Sequence, residues 1–98
     1  LEKGDTRQWH DQIIRSFLDS RAASYRRDLT SGHYEVQGAF AFVSNPQENT
    51  IELRIGKSII MYDLEGQWTD QSRRRLHRDF LSHIRLRFGL TVRTRYRT

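Results

Sequence analysis

Apolar side chains between residues 5 and 32 recur with the 3.6-residue period of an α-helix. Asp5 or Thr6 is a suitable N-cap for this helix. The pattern predicts about six turns, ending at Ser31-Gly32. Because the apolar arc is wide, we expect it to contact two surfaces: its own sheet, and a second element or partner chain. One stripe of the arc comprises Trp9, Ile13 and Phe17, and the other comprises Ile14, Leu18, Ala22, Tyr25 and Leu29.

After Gly32 the apolar period changes to two, which indicates β-strands. A first strand is predicted to place four apolar residues on one face, with Gly38 between them. Ser58 to Leu64 forms the third strand, and Gly56-Lys57 is the two-residue hairpin turn before it. The four apolar residues of the first strand are Tyr34, Val36, Phe40 and Phe42, and the second strand carries Ile51, Leu53 and Ile55.

A second helix is predicted after Trp68, with Thr69 or Asp70 as its cap and Gly89 just beyond its end. From Leu90 to Thr98 apolar and arginine positions alternate, which predicts a fourth strand or an extended tail. The apolar side of this helix comprises Leu76, Phe80, Leu81, Ile84 and Phe88.

These elements predict an α+β fold in which two helices pack on one face of a three- to four-stranded antiparallel sheet. The expected order is α-β-β-β-α-(β). A chain of 98 residues has the usual size of one domain, so residues 1–98 are expected to form a single basic domain. Because the chain begins with Leu1 and not with methionine, we expect it to be excised from a larger protein. The order of elements alone assigns the chain to no family.

Positive charge is concentrated in the last third of the chain. Residues 1–69 carry eight Lys and Arg against ten Asp and Glu, a net charge of −2. Residues 70–98 carry nine arginines against Asp70 and Asp79, a net charge of +7. Arginine suits phosphate and carboxylate partners better than lysine does, because its planar guanidinium binds two oxygens at once. The ratio of arginine to lysine can reflect genome composition, but the clustering cannot.

Two basic stripes follow from this clustering. Around the second helix, Arg74, Arg78 and Arg85 fall within about 40° of one another. They lie opposite the apolar side, and Arg75 flanks them. Such rows suit a phosphate backbone, although helix arginines are often only solvated and charged edge strands often only prevent aggregation. The second stripe comprises Arg93, Arg95 and Arg97 on one strand face.

Several chemistries are not supported by the residues present. The chain has no cysteine, and its four histidines lack metal-ligand spacing, so neither a metal site nor a cofactor is expected. Gly56-Lys57-Ser58 matches only the end of a phosphate-binding loop and is interpreted as a hairpin. His10 and His77 lie on the apolar sides of their helices, where a structural role is expected. We therefore expect no catalytic residues.

The favoured interpretation is a non-enzymatic module that docks on the phosphate backbone of RNA or DNA through the second helix and the C-terminal segment. The alternative is a protein–protein interaction or assembly domain, which binds an acidic partner or oligomerises through helix 1 or a sheet edge. Binding to an anionic membrane surface is a third possibility. No apolar run is long enough to span a bilayer, and an intracellular location, cytoplasmic or nuclear, is expected. The partner surface in the alternative comprises Ile14, Leu18, Tyr25 and Leu29.

Overall fold

The computed structural model describes residues 3–64, 75–90 and 92–97. The described residues form two helices and six strands, so the α+β class is confirmed. The helices are α1 (Lys3–Ser20) and α2 (Arg75–Phe88). The strands are β1 (Arg26–Asp28), β2 (His33–Val36), β3 (Phe40–Asn45), β4 (Thr50–Ile55), β5 (Ser58–Asp63) and β6 (Arg93–Arg97).

All six strands form one antiparallel sheet in the order β1-β2-β3-β4-β5-β6. Five consecutive strands form a meander, and α2 connects β5 to its neighbour β6. The prediction of three to four strands in the order α-β-β-β-α-(β) was therefore wrong. The order in the structure is α-β-β-β-β-β-α-β.

Both helices pack on the same face of the sheet, as expected. The Phe17 ring on α1 lies 5.9 Å from Phe42 on β3 and 5.1 Å from Phe80 on α2. Phe80 also contacts Phe42 and Tyr62, at 4.7 Å and 4.8 Å between ring centroids. This aromatic cluster joins the two helices to the centre of the sheet. Around it lie Ile13, Ile14, Leu18, Tyr34, Ile51, Leu53, Ile60, Leu81, Ile84 and Val92, all of them buried.

Helix α1 ends at Ser20, about three turns earlier than the sequence pattern predicts. Ala22 takes the left-handed conformation, with φ of 54°, and the amide of Ala23 donates to the carbonyl of Leu18 at 3.0 Å. This is a Schellman motif, which usually has glycine where Ala22 lies. The apolar spacing of Tyr25 and Leu29 continues the helical period but belongs to a non-helical segment and to the turn after β1.

The two additional strands have different origins. The edge strand β1 reads Arg26-Arg27-Asp28, and all three residues are exposed. The predicted first strand is divided into β2 and β3 by a turn that contains Gly38, with φ of 72°. Because Tyr34 pairs with Phe42, the four apolar residues of these strands still share one face.

Three local predictions are confirmed. Ile55 pairs with Ser58 across Gly56-Lys57, so this segment is a hairpin turn and not a phosphate-binding loop. Gly89 has φ of 67°, and its amide donates to the carbonyl of Arg85 at the end of α2. Residues 93–97 form the last strand. The predicted helix cap at Thr69 or Asp70 lies outside the described residues.

Candidate nucleic-acid interface

The arginines of α2 lie on the side of the helix that faces away from the core. Arg75, Arg78 and Arg85 are all exposed, whereas Phe80 and Ile84 on the opposite side are fully buried. The amphipathic spacing of the sequence produces this arrangement, because residues three, four and seven apart share one helix face. Arg74, which the pattern adds to this group, lies outside the described residues.

Helix α2 lies between α1 and the β6 side of the sheet. On one flank, His83 lies 2.8 Å from the hydroxyl of Ser16 on α1. Arg78 and Arg85 are about 140° to 160° around the helix from His83, so they lie on the flank turned away from α1. Since α1 packs over β1 to β3 and α2 continues into β6 after Gly89, this flank faces the β6 edge.

Strand β6, which carries the second group of arginines, lies at the same edge of the sheet. In the register, Arg93 pairs with Asp63, Arg95 with Met61, and Arg97 with Ile59. These positions alternate with Tyr96, which pairs with the buried Ile60 on the helix-covered face. Arg95 is exposed. We call Arg78 and Arg85 together with strand β6 the basic edge. The α2 part lies above the sheet plane, and Arg95 lies on the open face.

Acidic side chains reduce the positive charge on the α1 side of α2. The carboxylate of Asp79 accepts a hydrogen bond from Arg21 at 2.9 Å and lies 3.9 Å from Arg75. The flank that carries Arg78 and Arg85 is farther from this carboxylate around the helix. Arg85, on that flank, and Arg87, in the cleft towards α1, occupy the last turn, where the helix dipole favours cations. Arg78 and Arg85 therefore lie on the flank turned away from the Asp79 carboxylate.

The second apolar stripe of helix 1 is not a free surface. Ile14 and Leu18 are fully buried within the monomer. Tyr25 is partly buried against the core, and Leu29 is 39% exposed in the turn that follows β1. The four residues proposed as a partner interface therefore do not form one continuous exposed face.

His10 and His77 are both completely buried. His10 lies 2.8 Å from Ser44 Oγ through Nδ1 and 2.8 Å from Asn49 Oδ1 through Nε2. Because the amide oxygen of Asn49 can only accept, Nε2 carries the proton, and in the neutral ring Nδ1 accepts from Ser44. Burial lowers the pKa of His10 and favours this neutral form. The ring thus connects α1 to the end of β3 and the turn after it.

His77 lies beside Tyr62, with 2.7 Å between Nδ1 and the tyrosine hydroxyl oxygen. The two rings are 5.2 Å apart between centroids and are tilted by 37°. This contact joins the first turns of α2 to β5 beneath it. The position fits a residue that holds α2 on the sheet.

A buried carboxylate holds α1 to the first two strands. Asp11 accepts hydrogen bonds from Tyr34 at 2.5 Å and from Arg27 at 2.8 Å and 2.9 Å. Burial alone would raise the pKa of Asp11, but the hydrogen bonds from Arg27, Tyr34 and Arg15 outweigh it and lower the pKa. Burial and the neighbouring carboxylate raise the pKa of Tyr34. No local sequence pattern indicates this cluster, because its members are far apart in the chain.

Ser16 and His83 form a second contact that sequence reasoning missed. They line a cleft of about 450 Å³ between the helices, together with Asp19, Ser20 and Arg87. The Ser16 hydroxyl donates to the carbonyl of Ile13 at 3.0 Å, so its oxygen accepts from His83 Nε2. A nucleophilic serine needs the reverse arrangement, in which the histidine accepts the hydroxyl proton. The pair therefore has the geometry of a helix-to-helix contact.

Neither a metal cluster nor a membrane-spanning helix is found in the ranges 3–64, 75–90 and 92–97. In those ranges no group of three or more His, Cys, Asp or Glu side chains is arranged to hold a metal ion. Within the same ranges, neither helix has the length and apolar character needed to cross a bilayer.

Comparison of the chain with protein-family models, with curated proteins and with solved structures gives no match.

Proposed function

We propose that this domain is a non-enzymatic, intracellular module that binds the phosphate backbone of nucleic acid along its basic edge. One observation carries the proposal: the exposed flank of α2 with Arg78 and Arg85 faces the edge at which β6 carries arginine at every second residue. Guanidinium groups bind phosphate oxygens with two parallel hydrogen bonds, which makes arginine effective at such contacts. Contacts to phosphates carry no sequence information, so binding is expected to be tolerant of sequence.

The distribution of charge favours a polyanion over a small acidic ligand. Arg78, Arg85 and Arg95 lie on two faces of one edge and do not converge on a common pocket. A chain of phosphates can contact such a surface point by point, whereas a single carboxylate or phosphate contacts one or two arginines. The aligned positions of β6 are spaced by about 6.6 Å, twice the rise per strand residue.

The experiment is charge reversal with a matched control. Arg78→Glu and Arg85→Glu together should weaken the binding of generic oligonucleotides by about tenfold or more per arginine, the value of a charge-assisted hydrogen bond. Arg26→Glu makes the charge change of one such substitution at β1, the opposite edge of the sheet, and should change the affinity far less than Arg78→Glu or Arg85→Glu alone. Fluorescence anisotropy at constant salt measures the affinity of each variant for the oligonucleotides.

Folding of the variants is checked by urea denaturation. Because Arg26 and Arg78 are exposed, each of these two substitutions should change the free energy of unfolding by no more than about 0.5 kcal/mol. Arg85→Glu puts a negative charge in the last turn of α2, where the helix dipole favours cations, and should cost about 0.5–2 kcal/mol. A loss of affinity for Arg26→Glu equal to that for Arg78→Glu or Arg85→Glu alone would show that only net charge matters. That result would contradict a site at the basic edge.

A further inference from the structure

The outward face of α2 combines charge with one exposed apolar side chain. Arg75, Arg78, Ser82, Arg85 and Leu86 are all exposed, and they span an arc of about 100° around the helix. Arg78 and Arg85 lie along one margin of the arc, Leu86 lies along the other, and Ser82 lies between them. Leu86 is 84% exposed. This arc is tilted away from α1, so a ligand can approach it from the β6 side.

The dimensions of this face fit a duplex groove. A helix with its side chains is about 10–12 Å across, and the major groove of B-form DNA is about 12 Å wide. The 14 residues of α2 extend over about 21 Å, enough to follow the groove floor for several base pairs. When the arginine margin of the arc faces the phosphates of one strand, the rest of the arc, from Ser82 to Leu86, faces the base edges on the groove floor. A helix cannot enter duplex RNA in the same way, because the major groove of A-form RNA is deep and narrow.

The exposed apolar residues also argue against single strands. Single-stranded nucleic acid is usually held by aromatic side chains on which bases stack. Among the described residues, the exposed large hydrophobic side chains are Leu29 and Leu86, and neither is aromatic. In a B-form major groove, an aliphatic side chain has a suitable partner in the C5-methyl group of thymine.

On the basis of the nucleic-acid binding proposed above, we infer that the ligand is double-stranded B-form DNA and that α2 lies in its major groove. Arg78 and Arg85 contact phosphates at one margin of the groove. Leu86 contacts thymine methyl groups on the groove floor, and Ser82 lies within reach of a base edge as donor or acceptor. The contact of Leu86 adds a modest preference for thymine to binding that is otherwise tolerant of sequence.

The test compares four fluorescein-labelled probes of about 20 nucleotides at one salt concentration. They are an A·T-rich DNA duplex, the same duplex with deoxyuridine in place of thymidine, one of its strands alone, and the corresponding RNA duplex. The thymine duplex should bind at least about tenfold more tightly than the single strand or the RNA duplex. Deoxyuridine lacks the C5-methyl group, so its duplex should bind about fourfold more weakly for each methyl group that Leu86 touches in the thymine duplex.

Two leucine variants locate the methyl contact. Leu86→Ala should abolish the difference between the thymine and deoxyuridine duplexes, whereas Leu29→Ala, at the other exposed leucine, should preserve it. Equal or tighter binding of single-stranded DNA or duplex RNA would overturn this inference and leave phosphate binding intact. Failure to bind any of the four probes would instead overturn the proposed function. If the domain bound only phosphatidylserine vesicles, and Leu86→Ala abolished that binding, both proposals would be wrong and the ligand would be an anionic membrane surface.

Discussion

Replacement of Asp11 by alanine tests whether the buried carboxylate holds α1 to the edge of the sheet. The substitution removes the acceptor of Tyr34, whose buried hydroxyl is then left without this partner. An unsatisfied buried hydroxyl costs about 1–3 kcal/mol. Arg27 loses its two bonds as well, but its side chain is 34% exposed and can be hydrated, which limits that loss to about 0–1 kcal/mol. The expected total is about 1–4 kcal/mol.

Urea denaturation followed by circular dichroism measures this loss. Asp19→Ala is the control on the same helix, because Asp19 is exposed and should cost no more than about 0.5 kcal/mol. Tyr34→Phe in the Asp11→Ala background should recover part of the loss, since removal of the hydroxyl leaves no unsatisfied group. A cost below about 0.5 kcal/mol for Asp11→Ala, or a double variant less stable than Asp11→Ala, would refute the reasoning.

The hydrogen-bonded carboxylate of Asp11 also makes the stability of the fold depend on pH. The pKa of Asp11 is lower in the folded protein than its ordinary value of 3.8. The carboxylate therefore contributes stability that is complete above the ordinary pKa and is lost as the pH falls through the folded pKa. Between pH 5 and pH 2, the wild-type protein should lose more stability than Asp11→Ala.

Three further substitutions and one change of pH test local parts of the fold. Gly32→Ala should cost about 2–4 kcal/mol in urea denaturation, because φ is 71° and an added Cβ would lie 2.8 Å from the Ser44 carbonyl oxygen. Gly38→Ala, with φ of 72° and open space around it, should cost only about 1–2 kcal/mol, and equal costs would contradict the steric argument. Ala22→Gly should raise stability by about 0.5–1 kcal/mol, since glycine relieves the left-handed strain; a loss would contradict it. Burial lowers the pKa of His10 below 6.5, so stability should be complete above that value and fall as the pH drops from about 6.5 to 5; a constant urea midpoint would argue against this.

The sequence could predict those elements whose period and terminal signals agree. Phe80, Leu81 and Ile84 define the buried side of α2, and Gly89 defines its end; all four have their expected places. The hairpin at Gly56-Lys57 followed from a turn residue and a change of period. The common face for the helices followed instead from the packing of two amphipathic helices on one sheet.

Other elements could not be predicted because the local signal was absent or misleading. The end of α1 depends on Ala22, a residue that rarely takes the left-handed conformation, while Tyr25 and Leu29 continue the helical spacing. Strand β1 has no apolar residue, and Arg27 helps hold it to α1 by bonding Asp11, a partner 16 residues away.

The candidate site, too, could be predicted from the sequence only in part. Periodicity predicted that Arg78 and Arg85 share one side of α2, and strand alternation predicted that Arg93, Arg95 and Arg97 share one face. Their meeting at a single edge depends on sheet order, which places β6 beside β5 and directly after α2. Sheet order is a property of the whole chain and has no local signature.

The salt dependence of oligonucleotide binding by the unmodified domain tests the central claim most directly. Each phosphate neutralised by an arginine releases a counterion, so log affinity should fall linearly with log salt, by about 0.9 per contact on duplex DNA. Contacts by Arg78, Arg85 and one β6 arginine together predict a slope of about −3, and Arg78→Glu with Arg85→Glu should flatten it by about two. No binding tighter than about 10⁻⁴ M at modest salt, or a slope near zero, would contradict phosphate binding at the basic edge.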